Sequence, residues 1–406
     1  MRYFFIAGSH PLLSIAEISA FFGYPQGLEP IDTLEACILE HNDPIDSGLT
    51  IGRLGGAVKV GVIEREIAMM NEYGLISEVL KIPFFSGAKP GSRINFGLSV
   101  YGKFTPDLKK IGMTMKNELK GRGVSARFVT GKEKNLSSVI VGTNKLLGEK
   151  GAEIVIMRHG AKVFLGRTLA VQPFRELSFR DYGRPSRDDH SGMLPPKLAQ
   201  IMLNLGAGGR KLGVILDPFC GSGTIITEAM LMGFEKIIGS DISEKAVTDS
   251  RANFDWVKEN LRPGGQIQAD ILKADARSLT ENIRPGFVDI IVTEPYLGPQ
   301  RGYKEVGAVK RELEDLYSAV LEGFKGILAK DGRIIMVWPV FTEKGRLTFL
   351  DARIAAGFSF FNLLKKISNT DIIIPPLLKK GVTDRGTLIY GREGQRVLRE
   401  IVALSK

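Results

Sequence analysis

Apolar positions in this chain fall first into short alternating runs and later into a strict strand–helix rhythm. In the first part, Tyr3–Gly8 reads as a strand, and Ser14–Phe22 as a helix with Ser14 as N-cap and Glu17 three residues on. Ala36–Leu39 and Val58–Ile63 read as two more strands, giving a small α+β unit over residues 1–80. Ile94–Tyr101 alternates as a strand should, and Pro106–Lys120 predicts an amphipathic helix with lysines on its outer face. Ser125–Val129 predicts a strand, and Ser138–Thr143 predicts the start of another that leads into a helix. Glu153–Arg158 and Ala161–Ala170 predict a hairpin around His159-Gly160, which closes a second α+β unit over 81–172.

Residues 173–195 are rich in charge and turn formers and read as a linker. Pro196–Leu205 then predicts a helix with proline at its start. From Gly213 the rhythm changes. Strands are expected at 213–217, 236–241, 267–272, 288–293 and 332–338, and helices at 224–232, 244–260, 311–329 and 343–356. Such alternation predicts a doubly wound, mostly parallel sheet covered on both faces, over residues 196–406. A late pair near 358–364 and 386–391, with Gly381–Gly386 between, predicts an antiparallel edge hairpin.

Charge sharpens this division. Residues 1–80 hold 4 lysines and arginines against 11 acids, whereas residues 81–180 hold 19 against 6. A concentrated basic segment suits a polyphosphate partner; the plain alternative is a solvated basic face. Phe96, Tyr101, Phe104 and Phe128 interleave with these charges and could stack on bases, although strand spacing favours a core role. The two cysteines, Cys37 and Cys220, exclude a disulfide framework or a cysteine-rich zinc module and fit a reducing cytoplasm. None of the four histidines is spaced as a ligand pair, so no metal is expected. The apolar run at the start is too short for a signal peptide, and no run reaches membrane-spanning length.

The most specific chemistry lies at Gly213–Thr224: a strand ending in Asp217, then a glycine-rich turn through Gly221 and Gly223 into a helix. A second strand ends in Asp241, 24 residues after Asp217. A glycine turn followed by an acid at about that distance describes a nucleoside site at the carboxyl edge of an open sheet. A third acid, Asp275, follows the third strand, and Thr293-Glu294-Pro295-Tyr296 follows the fourth.

Asp217-Pro-Phe-Cys-Gly-Ser-Gly-Thr224 resembles motif I of class I S-adenosylmethionine-dependent methyltransferases, in the form used by amino-group methylases of nucleic acids. The resemblance implies S-adenosyl-L-methionine as cofactor. It places Gly221 and Gly223 at the methionine part, Asp241 at the ribose, and Asp275 and Ala276 at the adenine, and it counts Asp217, Phe219, Cys220 and Ile242 among the other cofactor-binding residues. Thr293–Tyr296 sits where such enzymes carry Asp/Asn-Pro-Pro-Tyr, whose polar groups accept the hydrogens of a base amine while the tyrosine stacks. Threonine then stands at the position of the acid or amide, with Glu294 as the alternative source of a carboxylate.

Tyr3–Ala20 and Arg180–Leu205 are similar to the amino terminus and the pre-motif segment of the archaeal and eukaryotic tRNA guanosine-10 N2-methyltransferases. That likeness implies a ferredoxin-like subdomain at 1–80, a THUMP RNA-binding domain at 81–172 and a methyltransferase domain at 196–406, with Ser191 contributing to the cofactor pocket. It also implies tRNA as partner, a monomer in the cytoplasm, and either independent action or help from a small activator protein. Arg301, Tyr303 and Lys304 are a substrate loop or a solvated one. Methylation of adenine or cytosine, and an inactive protein that still binds cofactor and RNA, are the competing readings.

Overall fold

A computed structural model describes residues 1–187, 193–210, 213–299, 305–343, 345–364 and 381–406. Chain contacts divide these into two compact units, 1–15 with 25–174 and 16–24 with the described residues from Arg175 onward.

The first unit is built on one sheet. Its strands are β1 (Arg2–Ala7), β2 (Leu28–Pro30), β3 (Ala36–Glu40), β4 (Ala57–Ala68), β5 (Arg93–Tyr101), β6 (Ser125–Val129), β7 (Gly151–His159) and β8 (Lys162–Val171), in the order β2-β3-β1-β4-β8-β7-β5-β6. Helices α1 (Pro11–Phe21), α2 (Ser47–Arg53), α3 (Glu72–Leu80), α4 (Pro83–Ser86), α5 (Leu108–Gly121) and α6 (Ser138–Thr143) lie between them in sequence. The expected break at 80/81 is not a break in this sheet. β4 is twelve residues long, and its second half continues to pair with β8, from Arg65 opposite Leu165 to Ala68 opposite Lys162. The charge contrast marks a change of surface, not a boundary between folding units.

Two helix expectations in this unit also change. Helix α1 starts at Pro11, whose fixed φ suits a first helical position, so Ser14 lies one turn inside and does not cap. Its Oγ donates to the carbonyls of His10 (3.0 Å) and Gly56 (2.8 Å). Glu17, in the part of α1 that belongs to the second unit, is buried and accepts from Asn204 Nδ2 of that unit at 2.7 Å. Ser138–Thr143 is a helix, not a strand. Ser137 caps it by accepting from Ile140 N at 3.3 Å, and Val141 packs with Val129, Leu136 and Leu146. The cap outweighs the β-branched run.

The aromatics of the basic segment are core. Phe96 and Tyr101 are buried, Phe96 stacks on Phe128 at 5.2 Å, and Phe104 packs against the same cluster. Beneath this sheet lies a closed polar network. Lys59 is ion-paired with Glu153 and donates to Leu136 O (2.5 Å), while Ser99 and Thr168 each donate to Glu153 at 2.6 Å. Every oxygen of that carboxylate is used, as a buried charge requires.

The second unit is the predicted doubly wound sheet. Helix α7 (Phe174–Tyr182) occupies part of the expected linker, and α8 (Pro196–Ala207) follows. Arg180 of α7 is buried and makes a two-pronged pair with Glu228 at 2.7 and 3.1 Å, which turns that segment from tether into packed structure. Then come β9 (Val214–Asp217), α9 (Thr224–Leu231), β10 (Lys236–Asp241), α10 (Glu244–Leu261), β11 (Gln268–Lys273), β12 (Val288–Thr293), α11 (Val306–Ile327), β13 (Leu328–Glu343), β14 (Arg346–Thr348), β15 (Ser359–Phe360), β16 (Leu388–Tyr390) and β17 (Val397–Ser405). Strands run β11-β10-β9-β12-β13-β17-β15, parallel from β11 to β13 and antiparallel at β17. Buried Trp338, Tyr317, Phe324 and Phe341 fill the core between sheet and α11.

Two expectations fail near the end of the sheet. Residues 343–356 do not form a helix: β13 runs on to Glu343, turns through Gly345 (φ +80°) and pairs back as β14, followed by a 3₁₀ turn at Ala352–Ala355. The late strands β15 and β16 do not pair with each other, because both pair with β17, which the periodicity did not reveal. No described helix is long and apolar enough to cross a membrane.

Candidate active site

The strand order of the second unit reverses between β9 and β12, which places a crevice at their carboxyl ends. A cleft of about 1010 Å³ opens there, lined by the β9–α9 turn, the ends of β10 and β11, and the loop after β12.

Each predicted residue that falls among the described ones has a definite place. Gly221 (φ +49°) and Gly223 (φ +83°) carry the turn, and Gly223 caps α9. A Cβ on Gly223 would sit 2.5 Å from Ser250 Oγ, whereas one on Gly221 meets nothing within 4 Å. So Gly223 is glycine for close packing, and Gly221 leaves open space on the cleft side. Cys220 lines the cleft but is buried, and that burial pushes its thiol up, which disfavours the thiolate. Phe219 lines the cleft and leans on the core.

Asp241 ends β10 and accepts from Ser243 N (2.9 Å) and Gly221 N (3.1 Å), so the acid and the glycine turn hold one another. Ile242 beside it is exposed in the cleft. Asp275 and Ala276 also line it. Asp275 is gripped by Arg277 Nη2 at 2.5 Å, and this guanidinium holds its carboxyl below the usual range. Met193 and Leu194 line the cleft, while Ser191, Arg301, Tyr303 and Lys304 lie outside the described residues.

The loop after β12 corrects the expected register. Thr293 is the last residue of the strand and is fully buried. Its hydroxyl donates to Asp217 Oδ1 at 2.8 Å and does not line the cleft. Asp217, 2% exposed, lines the cleft and also accepts from Phe219 N at 3.2 Å, so it braces the turn. Burial pushes its carboxyl up to about 7 against the two hydrogen bonds; Asp241 and Glu294 add smaller repulsions. The acid in the cleft is Glu294. Strand alternation turns Thr293 inward, and the next residue faces the opening with Pro295 and Tyr296. Tyr296 is 53% exposed, and its carbonyl accepts from Tyr317 Oη at 2.8 Å.

One lining residue escaped the sequence reading. Arg399 of β17 reaches across to Glu294, Nε to Oε1 and Nη2 to Oε2 (3.3 Å). The side chains are 12% and 16% exposed for Glu294 and Arg399. Among the described residues, no group of three or more His, Cys, Asp or Glu could hold a metal ion.

Residues 184–349 match the model of the RMKL-like methyltransferase domain, and residues 109–252 match a DNA methylase model. A tRNA (guanine(10)-N2)-dimethyltransferase of Methanothermobacter thermautotrophicus is 35% identical over 157 residues, 38% of this chain and 41% of that protein. A probable tRNA (guanine(10)-N2)-dimethyltransferase of Methanothermococcus thermolithotrophicus is 30% identical over 141 residues, 34% of this chain and 77% of that one. The chain belongs to the tRNA (guanine(10)-N2)-dimethyltransferase family. It spans about half the length of the first three curated relatives it matches, 41% to 58%. The crystal structure of TrmN from Thermus thermophilus shares its fold over the full length of both chains, with a TM-score of 0.52 at 21% identity.

Proposed function

We propose that this protein is an S-adenosylmethionine-dependent tRNA methyltransferase acting on the exocyclic N2 amine of a guanine. The observation that carries the reading is Glu294-Pro295-Tyr296 opening into the same cleft as the glycine turn and the two strand-end acids. The residues fit the cofactor: the cleft is the size of known ligand sites (about 300–1,000 Å³), Gly221 leaves room for a ligand against its backbone, and Asp241 presents a carboxylate at the cleft wall. When bound, S-adenosylmethionine supplies an electrophilic methyl group whose S–C bond breaks with its electron pair staying on sulfur.

The chain's own groups position the acceptor. An exocyclic amine is a weak nucleophile because its lone pair is drawn into the ring. The Glu294 carboxylate accepts one N–H, a loop carbonyl accepts the other, and the lone pair is thereby turned toward the cleft. The exposed Tyr296 ring stacks on the base, which must leave its own stack to enter. As the new N–C bond forms, the amine loses its proton, and Glu294 is the acceptor in reach. Catalysis on this reading is positioning plus electrostatics.

The basic segment at 81–172, read as a THUMP domain, docks the tRNA backbone, with Lys109, Lys116 and Lys120 exposed on α5. The protein acts in the cytoplasm, where tRNA is found, as a monomer. Purified chain, labelled S-adenosylmethionine and tRNA transcripts, followed by nucleoside analysis, test the activity and the base. N2-methylguanosine formed by wild type, and lost in Glu294→Ala, is the expected result. Label on adenine or cytosine, or cofactor binding without transfer, would overturn it; transfer only on adding a cell fraction would refute independent action.

A further inference from the structure

Glu294 is longer and more flexible than an aspartate or asparagine, and almost none of it is exposed. Left alone, such a carboxylate would be costly to bury and would sample several rotamers. Arg399 answers both problems. It is held in β17, opposite Pro339 of β13 and Tyr390 of β16, and its guanidinium meets both carboxylate oxygens. The planar fork supplies a counter-charge and fixes the plane of the carboxylate. Each oxygen keeps a further lone pair for a ligand. The pair as a whole lines the cleft.

We infer that the Glu294–Arg399 pair is the base-selecting element of the site, with Arg399 as its positioning residue. This rests on the methyltransferase reading given above. The chemistry is set by hydrogen-bond polarity. A carboxylate offers two acceptors side by side. On guanine, N1–H and N2–H are adjacent donors and match both oxygens. Adenine and cytosine present one donor next to a ring-nitrogen lone pair, which would face a carboxylate oxygen across unfavourable charge. An amide at 294 would accept from the amine and donate to that lone pair, so it would tolerate the other edge. The acid therefore does more than accept a proton, and the arginine keeps it in the geometry that reads the edge.

The test replaces the methyl-accepting guanosine of a tRNA transcript with 2-aminopurine, which keeps the N2 amine but carries a lone pair at N1. Wild type should prefer guanine by roughly 10- to 100-fold in kcat/KM, the range for losing a hydrogen bond to a charged group. Glu294→Gln should abolish or invert that preference, because its amide donates to the N1 lone pair of 2-aminopurine but opposes the N1–H of guanine. Fluorescence of the 2-aminopurine reports its binding independently of transfer. Arg399→Met should lower kcat for guanine with little change in KM for tRNA. It should cost nothing further in the Glu294→Gln background, because a neutral amide needs no counter-charge. Arg399→Lys, which keeps the charge without the fork, should fall between. Thermal unfolding identifies any variant that fails to fold, and Arg399→Lys then carries the comparison. Equal use of the two bases by wild type, an unchanged preference in Glu294→Gln, or the same loss from Arg399→Met in both backgrounds would each overturn the inference while the proposed function stands. Absence of any N2-methylated product from wild type would overturn both.

Discussion

Replacing Asp217 with asparagine should remove a pH dependence from the stability of the second unit. Asp217 is buried beside the glycine turn at the cleft wall, and its carboxyl is pushed up to about 7 from an ordinary 3.8. Between those values the folded chain holds a proton that the unfolded chain has released. Stability from this group is therefore greatest at low pH and is lost as pH rises toward 7. Between pH 5 and pH 8 the loss spans about two pH units, at about 1.4 kcal/mol each, or roughly 3 kcal/mol. Asparagine has the same shape, can accept from Thr293 and Phe219, and never ionises. Relative to wild type, Asp217→Asn should thus gain about 3 kcal/mol on going from pH 5 to pH 8. The chain's two tryptophans, Trp256 in α10 and Trp338 in β13, both lie in this unit, so their fluorescence during urea unfolding reports on it alone. Comparing the two proteins pH by pH cancels all other titrations. A wild-type-minus-variant difference that stays flat from pH 5 to 8 would refute the reasoning.

Asp241→Ala should abolish S-adenosylmethionine binding, since it removes both a cleft carboxylate and the acceptor for Gly221 N; isothermal calorimetry showing unchanged affinity would remove Asp241 from the site. Lys59→Met leaves Glu153 buried without its counter-charge and should destabilise the first unit by about 3–5 kcal/mol, read from hydrogen exchange in β4 and β8. A loss under 1 kcal/mol would mean that Ser99 and Thr168 suffice to hold that carboxylate. Reversing Lys109, Lys116 and Lys120 together to glutamate should weaken tRNA binding and flatten its log–log salt slope by about 2–3. An unaltered slope would move the docking surface away from α5.

The parts legible in advance were those fixed by local rules. A strand, a glycine turn and a helix are written in adjacent residues, and each strand-end acid follows from parallel strands finishing at one edge. Asp241 and Asp275 could therefore be placed before any coordinates. In the loop after β12, Thr293 stands at the position of the expected acid with Glu294 as the alternative, because Thr-Glu-Pro-Tyr does not by itself say which of the two faces the cleft. Only the alternation at the end of β12 decides that Thr293 turns in toward Asp217 and Glu294 turns out. Arg399 was illegible for a different reason. It meets Glu294 from 105 residues away, and nothing in Val-Leu-Arg-Glu-Ile-Val marks that arginine apart from others on the chain. The single sheet of the first unit was missed because charge composition describes surfaces, while the β4–β8 pairing that joins its halves is a matter of backbone.

The place of β17 in the sheet also orders events in time. The residues proposed to hold the cofactor lie between Met193 and Ala276, whereas the partner of Glu294 is supplied by Val397–Ser405. During synthesis the cofactor turn can form while β13 still waits for the strand beside it, and β15 and β16 have no partner until β17 arrives. The glycine turn and its acid are thus local in sequence, whereas the Glu294–Arg399 contact waits for a strand that pairs along nine residues of β13.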